Sequence, residues 1–70
     1  MPLYKSRLGD IRQIKEVSGN EKIKKFLFSL GCAKGEQITL ISILAGNYII
    51  SVKNIRYAID KNMAKSIELV

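Results

Sequence analysis

The chain has no histidine and no tryptophan, one cysteine (Cys32) and one proline (Pro2). Each absence removes a class of chemistry. Without histidine there is no imidazole base, no His-ligated metal centre and no Ser-His-Asp constellation. A lone cysteine excludes an internal disulfide and a thiolate cluster, and it points to a reducing compartment. Long apolar runs are missing too. Every stretch is broken by Gly, Asn, Ser or Lys well short of the roughly 20 residues that cross a bilayer. The opening Met1-Pro2-Leu3-Tyr4-Lys5 lacks the apolar run of a signal peptide. Acids are few and scattered: Asp10, Glu16, Glu21, Glu36, Asp60 and Glu68. No two are spaced to share one helix face as an acid–base pair, and no D-x-D-x-D-G loop is present. The expectation is a cytosolic protein that is not an enzyme, has no cofactor and holds no metal site of its own.

What is present fits one small domain over residues 1–70. The chain has 70 residues, 47% of them hydrophobic, and a mean hydropathy of +0.06. A fold of this size buries only about 60% of the surface its unfolded chain exposes. Twelve Lys and Arg against six Asp and Glu give a net charge of +6. That balance suits an acidic protein surface, an anionic membrane leaflet or nucleic acid. Nucleic acid is the weaker of these readings, because the few aromatics form no stacking cluster.

Along the chain, Ile11, Ile14 and Val17 recur at a spacing that fits a helix as well as a strand; the short run bracketed by Gly9-Asp10 and Ser18-Gly19-Asn20 favours a strand, with a bulge between Ile11 and Ile14 so that both face the core. Ser18-x-x-Glu21 has the form of a capping box. Ile23, Phe26, Leu27 and Leu30 then form one apolar helical face. Gly31 supplies the left-handed stop, with Cys32 closing on Leu27. Phe28 lies off that face. It is either covered by the segment around Leu3 and Tyr4, the favoured reading, or exposed as a partner contact. Gly31-Cys32-Ala33-Lys34-Gly35 follows a helix rather than a strand, which argues against a phosphate loop.

Glu36–Leu44 reads as a strand with apolar residues on both faces, either strongly bent or covered by the helix. Ala45-Gly46-Asn47 joins it to a returning strand from Tyr48 to Lys53. Arg56–Ile59 is a further short strand. Asp60 caps a helical turn through Met63 and Ala64, and Ile67–Val70 ends the chain as a strand. Short strands and tight turns around one core give a mainly β fold with a short inserted helix, a small β-barrel.

This order and its punctuation resemble the ferrous iron transport protein A (FeoA) family. The resemblance rests on Gly9, Gly19, Leu27-Phe28-Ser29-Leu30-Gly31, Gly35-Glu36-Gln37-Ile38, Ala45-Gly46-Asn47, Tyr57-Ala58-Ile59-Asp60, Met63-Ala64 and Ile67. It covers nearly the whole chain in the right order. Lys34 stands where the family usually has Pro, Gly46-Asn47-Tyr48 replaces G-D-P, and Asp60 replaces an Arg. The resemblance implies an SH3-like barrel that serves ferrous iron uptake from the cytosol. The implied partner is the cytosolic part of a membrane G-protein-type ferrous iron transporter (FeoB), at the inner face of the membrane. It also implies transition metal binding at the level of the family, for which this chain offers no evident ligands. Docking is expected at the helix surface and its flanking turns, through Lys24, Lys25, Phe28 and Lys34, with Asn47 and Tyr48 at the hairpin tip. The lysines would steer and Phe28 would anchor. Exposed edge strands could also pair two copies.

Overall fold

The computed structural model describes residues 1–70. A 3-10 turn, Leu3–Lys5, leads into β1 (Ile11–Val17), α1 (Glu21–Leu30), β2 (Gln37–Leu44), β3 (Asn47–Val52), β4 (Ile55–Ile59), α2 (Lys61–Lys65) and β5 (Ile67–Leu69). The strands form one antiparallel sheet in the order β4-β3-β2-β1-β5. Both hairpins turn through two residues at positive φ: Ala45 at 49° and Gly46 at 80°, then Lys53 at 52° and Asn54 at 65°. Backbone of that hand matches the twist of the flanking strands.

Two bulges curl the sheet. In β2, Leu40 faces Ile50 and Ser42 faces Ile49, so Ile41 is an extra residue. In β1, Ile14 faces Leu69 and Glu16 faces Glu68, so Lys15 is extra. Each extra residue bends its strand and increases its twist. The two apolar faces of β2 therefore reflect a bent strand. β4 and β5 end the sheet without a ladder between them, so the barrel is open.

The core draws on every strand. Ile14, Ile38, Leu40, Ile50, Ile59, Ile67 and Leu69 are fully buried, with Leu3 from the N-terminal turn, Leu27 from α1 and Ala64 from α2. Full burial of one such aliphatic side chain stabilises the fold by about 1.5–3 kcal/mol. Ile11 departs from expectation. It is 68% exposed, opposite Thr39, because the bulge falls after Ile14 rather than before it.

α1 starts and stops on local signals, with one correction. Its N-cap is Asn20, whose Oδ1 accepts the Ile23 amide at 2.8 Å. Ser18 is engaged elsewhere: its amide and its hydroxyl both donate to the Ser66 carbonyl. With Ser18 held there, Asn20 makes an equally good cap. At the other end Gly31 takes φ 98°, its amide donates to Phe28 and that of Cys32 to Leu27, each at 3.0 Å. This double closure satisfies carbonyls that the helix end leaves free. The covered face is narrower than the spacing implied. Leu27 is buried and Ile23 and Leu30 are partly so, but Phe26 is 42% exposed. Of the ten helix residues only Leu27 is fully drawn into the core. In α2, Asp60 Oδ1 accepts the Met63 amide at 2.8 Å, as its position in the sequence implies.

Candidate docking surface

Phe28 is 52% exposed, which corrects the expectation that the N-terminal segment covers it. That segment is committed elsewhere, with Leu3 inside the core and Tyr4 packed against it. Phe28 instead forms one wall of a cleft of about 480 Å³, together with Lys15, Glu16, Val17 and Lys34. Three elements build it. α1 supplies Phe28, the turn after α1 supplies Lys34, and β1 supplies the rest. The bulge at Lys15 belongs to this stretch of β1 and puts a second lysine on the rim. The lining thus combines the apolar Phe28 and Val17 with two lysines and one acid, Glu16.

The other expected contacts divide. Lys25 is exposed on α1, three residues before Phe28, and does not line the cleft; Lys24 is partly covered, with Glu21 at 4.0 Å. An exposed pair of that kind contributes little to stability and leaves the lysine available. Asn47 is exposed at the β2–β3 hairpin and does not line the cleft. Tyr48 is a correction: at 8% exposure it belongs to the core. It follows the turn directly, and the alternation that buries Ile50 and Val52 turns Tyr48 inward as well. Nothing local in the sequence marks Lys15, Glu16 and Val17 as site residues: they join Phe28 only through tertiary packing, and the position of Phe28 off the helix face is the one sequence signal that asks for a wall opposite it.

A second groove, of about 580 Å³, runs across the outer sheet face. It is polar and includes Gln13, Gln37, Thr39, Ser51 and Lys53. Lys53 is paired there with Glu36 at 3.6 Å.

Metal chemistry finds no donor set. Nowhere do three His, Cys, Asp or Glu side chains come together. Cys32 is fully buried, and burial pushes its thiol up from 9.0 to about 11, away from the thiolate a metal requires. The residues present therefore do not fit a resident metal ion. No helix is long and apolar enough to cross a membrane.

An open, curled five-stranded sheet with an inserted helix defines a small SH3-like domain. The FeoA domain family model matches residues 1–70, and the chain belongs to that family. An iron uptake regulatory protein (FeoA) crystal structure superposes with a TM-score of 0.88 at 29% identity, covering 99% of this chain and 92% of that one. The zinc complex of Stenotrophomonas maltophilia FeoA, described as a prokaryotic SH3 domain protein, gives 0.87 at 22% identity over 100% and 89% of the two chains. A manganese-dependent transcriptional repressor shares the fold at a TM-score of 0.90 and 16% identity, with this chain covering 40% of it. Sequence comparison with curated proteins finds no match.

Proposed function

We propose that this chain is an accessory factor of ferrous iron uptake that docks on the cytosolic part of a FeoB-type membrane transporter, working in the cytoplasm at the inner membrane face. The observation that carries the reading is the half-exposed Phe28 in a cleft lined by two lysines, Lys15 and Lys34, against one acid, Glu16. Family membership supports it, as does the relative described as a candidate bacterial ferrous iron transport activating factor. Phe28 supplies apolar contact, while Lys15, Lys25 and Lys34 steer an acidic partner surface. The protein binds and positions, and the iron remains the transporter's cargo.

The test is binding to the transporter's purified cytosolic domain with Phe28→Ala and Lys25→Glu variants. Phe28→Ala weakens binding by about tenfold or more, as loss of an aromatic anchor does. Lys25→Glu chiefly slows association and does so less at high salt. Unchanged binding in both variants moves the docking face elsewhere.

A further inference from the structure

Away from the cleft, three lysines converge on one aromatic ring. The ammonium groups of Lys5, Lys61 and Lys65 lie 5.7, 5.8 and 5.9 Å from the centre of the Tyr4 ring. No two of them can then be more than twice that distance apart. Each is exposed, and none is in an ion pair: the ion pairs of the chain are Met1–Glu68, Lys24–Glu21 and Lys53–Glu36. The nearest acid in sequence, Asp60, has one carboxylate oxygen on the α2 N-cap.

The arrangement is fixed from beneath. Lys61 and Lys65 stand four residues apart on one face of α2. Ala64, on the same helix, is fully buried, as is Leu3 next to Tyr4. The N-terminal turn and α2 pack together, and Pro2 bridges to Glu68 beyond α2. The Tyr4 ring attracts each ammonium through its face, yet one ring cannot neutralise three cations. A multiply charged anion can, with its oxygens accepting from several ammonium groups at once.

We propose that Tyr4, Lys5, Lys61 and Lys65 form a binding site for a phosphate-bearing polyanion of the diphosphate or phospholipid-headgroup kind. The site lies on other elements than the Phe28 cleft and stands independently of the transporter reading. It gives part of the unexplained +6 charge a specific task.

The experiment uses the full chain in two arms. In one, inorganic pyrophosphate is titrated while amide chemical shifts are followed. In the other, the protein is sedimented with phosphatidylglycerol vesicles and with phosphatidylcholine vesicles. Each arm includes a Lys5/Lys61/Lys65→Gln variant and a Lys24/Lys25/Lys34→Gln variant that loses the same charge from the docking face. Shifts centred on residues 3–6 and 60–66, or sedimentation with the anionic vesicles alone, are the expected results. The first identifies a soluble ligand and the second a lipid headgroup. At roughly fivefold per lysine near an anionic surface, the first variant weakens vesicle binding on the order of a hundredfold, and the second far less. Equal loss in both variants reduces the effect to net charge and overturns the proposal, as does no binding in either arm.

Discussion

The Ser66 carbonyl accepts two hydrogen bonds from Ser18, one from its amide at 2.8 Å and one from its hydroxyl at 3.3 Å. This contact ties the entrance of α1 to the exit of α2 and leaves the helix cap to Asn20. Asn20→Ala should therefore cost about 1 kcal/mol, a loss of roughly 4–8 °C in Tm for a domain of this size. Ser18→Ala keeps the amide bond and should cost less than about half of that. Urea unfolding midpoints of the two variants check this. A larger effect at Ser18 would restore the capping box.

Cys32 makes stability depend on alkaline pH. Its thiol ionises near 9.0 when unfolded and near 11 when buried, so the unfolded chain releases its proton first as pH rises. The group's contribution is complete below about pH 9 and is lost progressively up to about pH 11, on the order of 2–3 kcal/mol across the window. The comparison is with Cys32→Ala, which removes the thiol and leaves every other group in place. Stability measured at pH 8 and pH 10.5 should fall more steeply in the wild type. Parallel slopes would show that the thiol is solvated in the folded state.

Leu27 and Phe28 are sequence neighbours with opposite exposure, one fully buried and one half-exposed. Leu27→Ala opens a cavity in the core and should cost about 2–5 kcal/mol, a large share of the stability of so small a chain. Phe28→Ser, at a half-exposed site, should change stability by under about 1 kcal/mol while impairing partner binding. Thermal unfolding of both variants beside the binding assay separates the two roles. A Phe28 variant that melts like the Leu27 variant would make the cleft part of the core.

Much of this fold is legible locally. Gly31, Asp60 and the Ala45-Gly46 turn punctuate the chain through backbone preferences that act over a few residues. The alternation of Tyr48, Ile50 and Val52 marks an inward strand face, although standing next to the turn made Tyr48 look like a tip residue. What escapes local reading is width and placement. Helical spacing puts Phe26 and Leu27 about 100° apart on one broad apolar stripe, and only the tertiary placement of the helix decides that the second is buried and the first is not. A recurrence of three in β1 announces a bulge without saying on which side of Ile14 it falls. Lys15 and Phe28 come to one cleft, and Lys5, Lys61 and Lys65 to one ring, through tertiary packing between separate elements.

The two extra residues, Ile41 and Lys15, have no partner of their own across the ladder. Loss of either would leave every other pairing in step, since Leu40 would still face Ile50 and Ser42 would still face Ile49. The sheet would stay in register and flatten. Shape in this protein is thus carried by a surplus of chain length at two points, separately from the pairing that holds the strands together. At Lys15 the same surplus residue also lines the proposed docking cleft, so shortening β1 by one residue would flatten the barrel and remove one of the cleft's two lysines in a single event.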